Sequence, residues 1–221
     1  MAIIRKGAMG DISGRIGDTV YRVRNHKNIG CKRPTSQKIS QTENSVKNRS
    51  KFAYTIQFAK IINSNPELLS CWKSAEIKGT SGFQRIIKHN SKNVSALGIT
   101  SKNIITPPGI EIVPGSISIN ESTVTISSFF KNDITNPLLK LFTVMKLYNE
   151  EGSELLYLQS DNVSLKEGIA PEGTIALTPD ELKKLIYYKK AILLCAFITS
   201  SPKPFWSTTI PFELNLCDRQ S

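Results

Sequence analysis

From residue 110 onward the hydrophobic pattern repeats every second residue, in short runs broken by turn residues. No other feature of the chain restricts its fold so tightly, because a period of two places alternate side chains on opposite faces of a strand. The runs are 110–113, 116–119, 122–130, 139–148, 155–159, 173–177, 187–199 and 208–216. Pro114-Gly115, Asn120-Glu121, Asn132-Asp133, Glu151-Gly152 and Glu172-Gly173 separate them. Val124 and Ile126 share a face, as do Leu141, Thr143, Met145 and Leu147. Seven or eight short strands in the second half predict an immunoglobulin-like β-sandwich. One helix interrupts them: Thr178 is its N-cap and Pro179 its first residue, just before the longest apolar run.

The first half reads differently. Glycines stand at 7, 10, 14, 17 and 30. Between them, residues 18–24 alternate Val20, Arg22 and Arg24 with Thr19, Tyr21 and Val23, a strand pattern with one apolar and one basic side. Residues 25–28 read as a hairpin turn, and 29–33 return to Pro34. A twisted, glycine-rich meander with few large apolar side chains is not expected to be stable alone. Helical signals follow. Ser40 and Glu43 have capping-box spacing, and Phe52, Ala53, Ile56, Ala59 and Ile62 (or Ile61) recur at helical spacing opposite Lys47, Arg49, Lys51 and Lys60. Asn65-Pro66-Glu67 starts a second helix carrying Leu68, Leu69 and Trp72, and Phe83, Ile86 and Ile87 suggest a third. These helices are expected to lean on the glycine-rich strands. The whole is an α+β chain, with a basic strand-and-helix assembly domain at 1–103 and a sandwich domain at 104–221.

Charge divides along the same line. The 221 residues hold 29 Lys and Arg against 18 Asp and Glu, a net charge of +11. Residues 1–103 carry 19 basic and 5 acidic side chains, and 104–221 carry 10 and 13. Such asymmetry suits contact with a polyanion, or with the acidic half of another copy. The longest uncharged apolar stretch, 191–199, is far short of the roughly 20 residues that span a bilayer, so no membrane span is expected. The N-terminus has no apolar run and cleavage site, so no Sec signal peptide is read there.

Residues that carry chemistry are sparse. Gly14-Arg15-Ile16-Gly17 lacks the lysine and hydroxyl of a phosphate-binding loop, and no nucleophile elbow or zinc-protease helix occurs. His26 and His89 read as surface residues, and Glu150, Glu151 and Glu154 as solvated turn acids. Cys31, Cys71, Cys195 and Cys217 have no C-x-x-C spacing, which argues against zinc; Cys195 reads as a small buried hydrophobe, and disulfides stay open. Asn48, Asn93, Asn120 and Asn162 match the glycosylation pattern, a chance event in an Asn- and Ser-rich chain. The reading is therefore non-enzymatic, with no cofactor or metal.

The candidate contact surface is Arg15, Tyr21, Arg22, Arg24, Lys27, Lys32 and Arg33. Arginine forks suit phosphates and an aromatic can stack on a base; the same charges can guard a strand edge or bond a neighbouring copy's carboxylates.

Residues 9–24, Lys32-Arg33-Pro34, 47–53 and Phe58-Ala59-Lys60 resemble uncharacterised proteins of Bacteroidetes-type bacteria, in which a G-x-x-G-x-x-x-G opening precedes an Arg/Lys-Phe helix and a β-rich C-terminal half. The resemblance covers roughly the first hundred residues, brings no catalytic residue, and implies a structural role in a bacterial or phage assembly. The expectation is a self-assembling structural protein, a virion or tail component or filament subunit, whose partners are its own copies and whose setting is a virion or a cell-surface assembly. The alternative is a nonspecific nucleic-acid-binding protein using the same basic surface.

Overall fold

The structure, a computed structural model, describes residues 3–5, 11–24, 27–33, 39–120, 122–131, 139–161, 163–166, 170–199 and 205–216. The fold is α+β, with four helices and three antiparallel sheets among the described residues. The chain divides into two compact units, Met1–Thr42 and Glu43–Ser221.

The first unit is a sheet of order β1-β2-β3-β4, built from β1 (Ile3–Arg5), β2 (Asp11–Ile16), β3 (Thr19–Arg24) and β4 (Lys27–Lys32). Gly17, at φ +54, closes the β2–β3 turn in the left-handed region that glycine enters without strain. Arg24 pairs with Lys27 across the β3–β4 hairpin, whose tip holds His26 and lies outside the described residues. No residue of this unit whose exposure is described is buried, and every position of β4 is exposed.

The second unit begins with α1 (Glu43–Ser64), α2 (Pro66–Ser74) and α3 (Gly82–Asn90). Asn65 caps α2 as expected: its Oδ1 accepts from the Glu67 and Leu68 amides, both at 2.9 Å. The Ser40–Glu43 capping box does not form, because α1 starts at Glu43; that carboxylate meets Lys47 at 2.5 Å instead. The buried face of α1 is Thr55, Phe58, Ala59 and Ile62, while Phe52 is 64% exposed. A polar residue enters the core because Thr55 Oγ1 donates to the Lys51 carbonyl at 2.7 Å, satisfying the hydroxyl within the helix.

Eight strands follow: β5 (Ile112–Ile119), β6 (Thr123–Phe130), β7 (Leu139–Tyr148), β8 (Ser153–Ser160), β9 (Val163–Lys166), β10 (Ala170–Ala176), β11 (Lys190–Thr199) and β12 (Ile210–Asn215). Between β10 and β11 stands α4 (Pro179–Tyr187), with the Thr178–Glu181 capping box formed. The strands make two antiparallel sheets, β5-β6-β10-β9 and β12-β11-β7-β8. Two expected strands, 110–113 and 116–119, are one strand: Pro114-Gly115 makes a register shift against β6, not a turn. The short strand β9 has no counterpart among the expected runs.

Two cores meet on the second sheet. Leu141, Met145, Leu147, Leu193, Cys195 and Phe197 pack with Val124, Ile126 and Ile175 of the first sheet. The alternate residues Phe142, Val144, Ile192, Leu194, Ala196 and Ile198 pack with Phe58, Ile62, Leu68, Trp72 and Ile86 of the helices. The helices therefore cover the outer face of the β12-β11-β7-β8 sheet and belong to the same compact unit as the strands. The expected domains are 1–103 and 104–221; the compact units are 1–42 and 43–221, which puts these helices in one unit with the strands. The physical reason is area: β7 and β11 offer apolar side chains on both faces, so each face takes a covering layer.

Candidate functional site

The segment between α3 and β5 is fastened by polar side chains. Asn90 Nδ2 donates to the carbonyls of Ile86 and Ile104, and its Oδ1 accepts from the Ile104 amide at 2.8 Å. Asn103 Nδ2 donates to Asn90 Oδ1 at 3.1 Å, and Asn103 Oδ1 accepts from the Thr100 amide at 2.8 Å. Both asparagines are buried, so the loop they hold is rigid for the reason that buried polar groups demand partners. Within it, Ser95 and Gly98 exchange backbone hydrogen bonds of 2.9 and 3.2 Å, and Gly98 takes φ +110.

Beneath this loop stands Lys146 of β7. It is 5% exposed, on a strand face whose preceding residues Phe142 and Val144 are both fully buried. Its Nζ donates to the Ile99 carbonyl at 3.1 Å and lies 4.9 Å from the centre of the Tyr148 ring. A Cβ on Gly98 would stand 3.2 Å from that nitrogen, so the glycine leaves room for the ammonium. No carboxylate among the described residues pairs with it, and burial pushes its pKa below the ordinary lysine value.

Lys146 lines a cavity of about 370 Å³ with Tyr54 of α1, Ser95, Leu97, Ile99 and Thr100 of the loop, Tyr148, Ile192 of β11, and the β7–β8 turn 149–153. Asn149 Oδ1 is committed to that turn, accepting from the Glu151 and Gly152 amides at 3.0 Å. A second, polar hollow of about 430 Å³ shares Ser95 and Thr100 and is lined by Lys51, Lys92 and Lys102. These three lysines form no ion pair with a described residue.

The expected contact residues all lie in the first unit. The β2–β3–β4 register sets Arg15 opposite Val20, Val20 opposite Cys31, Arg22 opposite Ile29 and Arg24 opposite Lys27, so these positions share one face. Tyr21, opposite Gly14 and Gly30, and Lys32, opposite Thr19, belong to the other face; Arg33 follows β4, its amide bonded to the Asp18 carbonyl. A Cβ on Gly30 would stand 3.1 Å from the Tyr21 ring, which the glycine accommodates. Arg15 turns back on its own hairpin, its Nε donating to Gly17 O at 2.7 Å and its Nη2 lying 4.0 Å from Asp18.

Lys146 escaped the sequence reading, which followed the other face of β7. The signal was present: a lysine amid nine residues of otherwise uncharged character, 141–149, on a strand too apolar to have a wet side. His89 is half-buried against Trp72, their ring centres 5.8 Å apart, rather than on the surface. Cys195 is fully buried as expected, and Cys31, Cys71 and Cys195 are free thiols, with burial pushing Cys71 and Cys195 up to about 12. Cys217 lies outside the described residues. Among the described residues no helix is long and apolar enough to cross a membrane.

No protein-family model matches the chain, and no curated protein matches its sequence.

Proposed function

We propose that this is a structural protein that assembles with copies of itself through its N-terminal sheet, in the manner of a virion or filament component. One observation carries the reading: the first unit buries none of the residues whose exposure is described. A sheet whose described positions bury nothing lacks there the main favourable term in folding, so a covering surface from another molecule is the natural completion. Ile16, Val23 and Ile29 are exposed on it, and β4, exposed at every position, stands at the end of the sheet order, where strand addition takes place. Residues 1–42 hold nine basic and two acidic side chains, which favours docking against the acid-rich second half of a neighbour.

The strand-rich unit is best read as an immunoglobulin-like sandwich. Lettering its strands in chain order as A, B, C, C′, D, E, F and G, its sheets run A-B-E-D and G-F-C-C′, the order of that fold. It departs from antibody domains in having no cysteine on strand B and a helical layer over the G-F-C-C′ sheet. Size exclusion and negative-stain microscopy of the full chain at low and high salt test the assembly reading. Rings or fibres that Arg22→Glu with Lys27→Glu disperses are expected; a monomer at every salt and concentration overturns it.

A second reading, nonspecific binding of nucleic acid, draws on the lysine-lined hollow of the second unit. In that case a stable monomer binds DNA or RNA with an affinity that falls steeply as salt rises.

A further inference from the structure

The geometry points to the Lys146 cavity as a binding site for a small carboxylate with a flat apolar body. The ammonium at its base has three N–H donors and uses one, on the Ile99 carbonyl. It is 5% exposed and has no counter-ion among the described residues, an arrangement that costs free energy until an anion completes the pair. Above it the walls are Tyr54, Leu97, Ile99, Tyr148 and Ile192, surfaces that accept a ring or short chain, in a volume of about 370 Å³. Ser153 adds a hydroxyl at the lining, while the Ser95 and Thr100 hydroxyls there donate to the Gly98 and Asn93 carbonyls.

The charges around it favour an anion. Glu150 and Glu151 are exposed at the tip of the β7–β8 turn, where water screens them, and Glu151 also accepts from the Tyr187 hydroxyl. On the other side the adjoining hollow brings Lys51, Lys92 and Lys102 past the shared Ser95 and Thr100. An amine ligand would meet Lys146 at the base and is excluded. A neutral alcohol of the same shape gains the apolar walls without the ion pair.

The probes are benzoate, benzyl alcohol and benzylamine, added to the full chain and followed by amide chemical shifts of Gly98, Thr100 and Ser153. Benzoate is expected to bind saturably in about the millimolar range or tighter, given its few heavy atoms. Lys146→Met is expected to weaken it by about 10-fold or more, the value of a charge-assisted hydrogen bond. Benzyl alcohol binding as tightly as benzoate, an undiminished benzoate affinity in Lys146→Met, or no saturable benzoate binding each overturns the assignment. A pH series on the unaltered chain supplies the same decision if the variant does not fold. Tyr54, Tyr148, Glu150 and Glu151 are the other charged or titratable groups at the lining. Benzoate affinity must therefore fall as Lys146 loses its proton, and a flat profile sinks the proposal.

Discussion

Arg85 joins three carbonyls at the end of α2. Its Nη1 donates to Trp72 O at 2.9 Å and to Lys73 O and Ala75 O at 3.0 Å. A helix C-terminus carries partial negative charge, so a guanidinium there satisfies acceptors and the dipole together. Arg85→Ala is expected to cost about 1.5–3 kcal/mol in urea unfolding, the range for hydrogen bonds to a charged group, with Lys recovering only part because it lacks the planar fork. Lys146 acts on stability in the opposite sense. Its lowered folded-state pKa means that the unfolded chain binds the proton more tightly, so stability from this residue rises with pH between the lowered value and the ordinary one near 10.5. The melting temperature of the unaltered chain should therefore gain on that of Lys146→Met as pH is raised across that window. A constant difference would show that burial does not disfavour the charge.

At the scale of elements, α1 shows how a helix chooses its face. Two stripes compete along it: one through Phe52 and Ile56, the other through Thr55, Phe58 and Ile62. The second wins because it presents Phe58, Ala59 and Ile62, all with no exposure, to the strand residues Phe142, Val144, Ile192 and Leu194. Phe58→Ala is then expected to cost about 3–5 kcal/mol and Phe52→Ala less than about 0.5 kcal/mol, read from denaturant midpoints. Equal losses would place α1 the other way round. Between the sheets, Gly173 has a comparable role: a Cβ there would stand 2.6 Å from Leu141 Cδ2, so its absence lets β10 approach β7 closely.

For the whole molecule, the two units differ in what holds them. Residues 43–221 hold two hydrophobic cores of their own. A chain of residues 43–221 alone is expected to unfold cooperatively with a melting temperature within about 3 °C of the full chain. A collapse of stability on removing 1–42 would mean that the N-terminal sheet covers part of the core. Under the assembly reading, the same truncated chain stays monomeric at concentrations where the full chain assembles.

Much of the architecture was legible in local pattern. Period-two alternation located β6, β7 and β11, the Asn65 and Thr178 caps marked two helix starts, and the +14 against −3 charge contrast separated a basic first part from an acidic one. These are properties of neighbours along the chain: side-chain alternation, capping hydroxyls and amides, and composition. Tertiary structure decided the rest. That the helices join the strands, that Phe52 faces out, and that Lys146 ends in a cavity under Gly98 depend on which distant surfaces meet. Only one face of β7 read as apolar, and the packing of the helices on the other, through Phe142 and Val144, made a lysine there a buried charge.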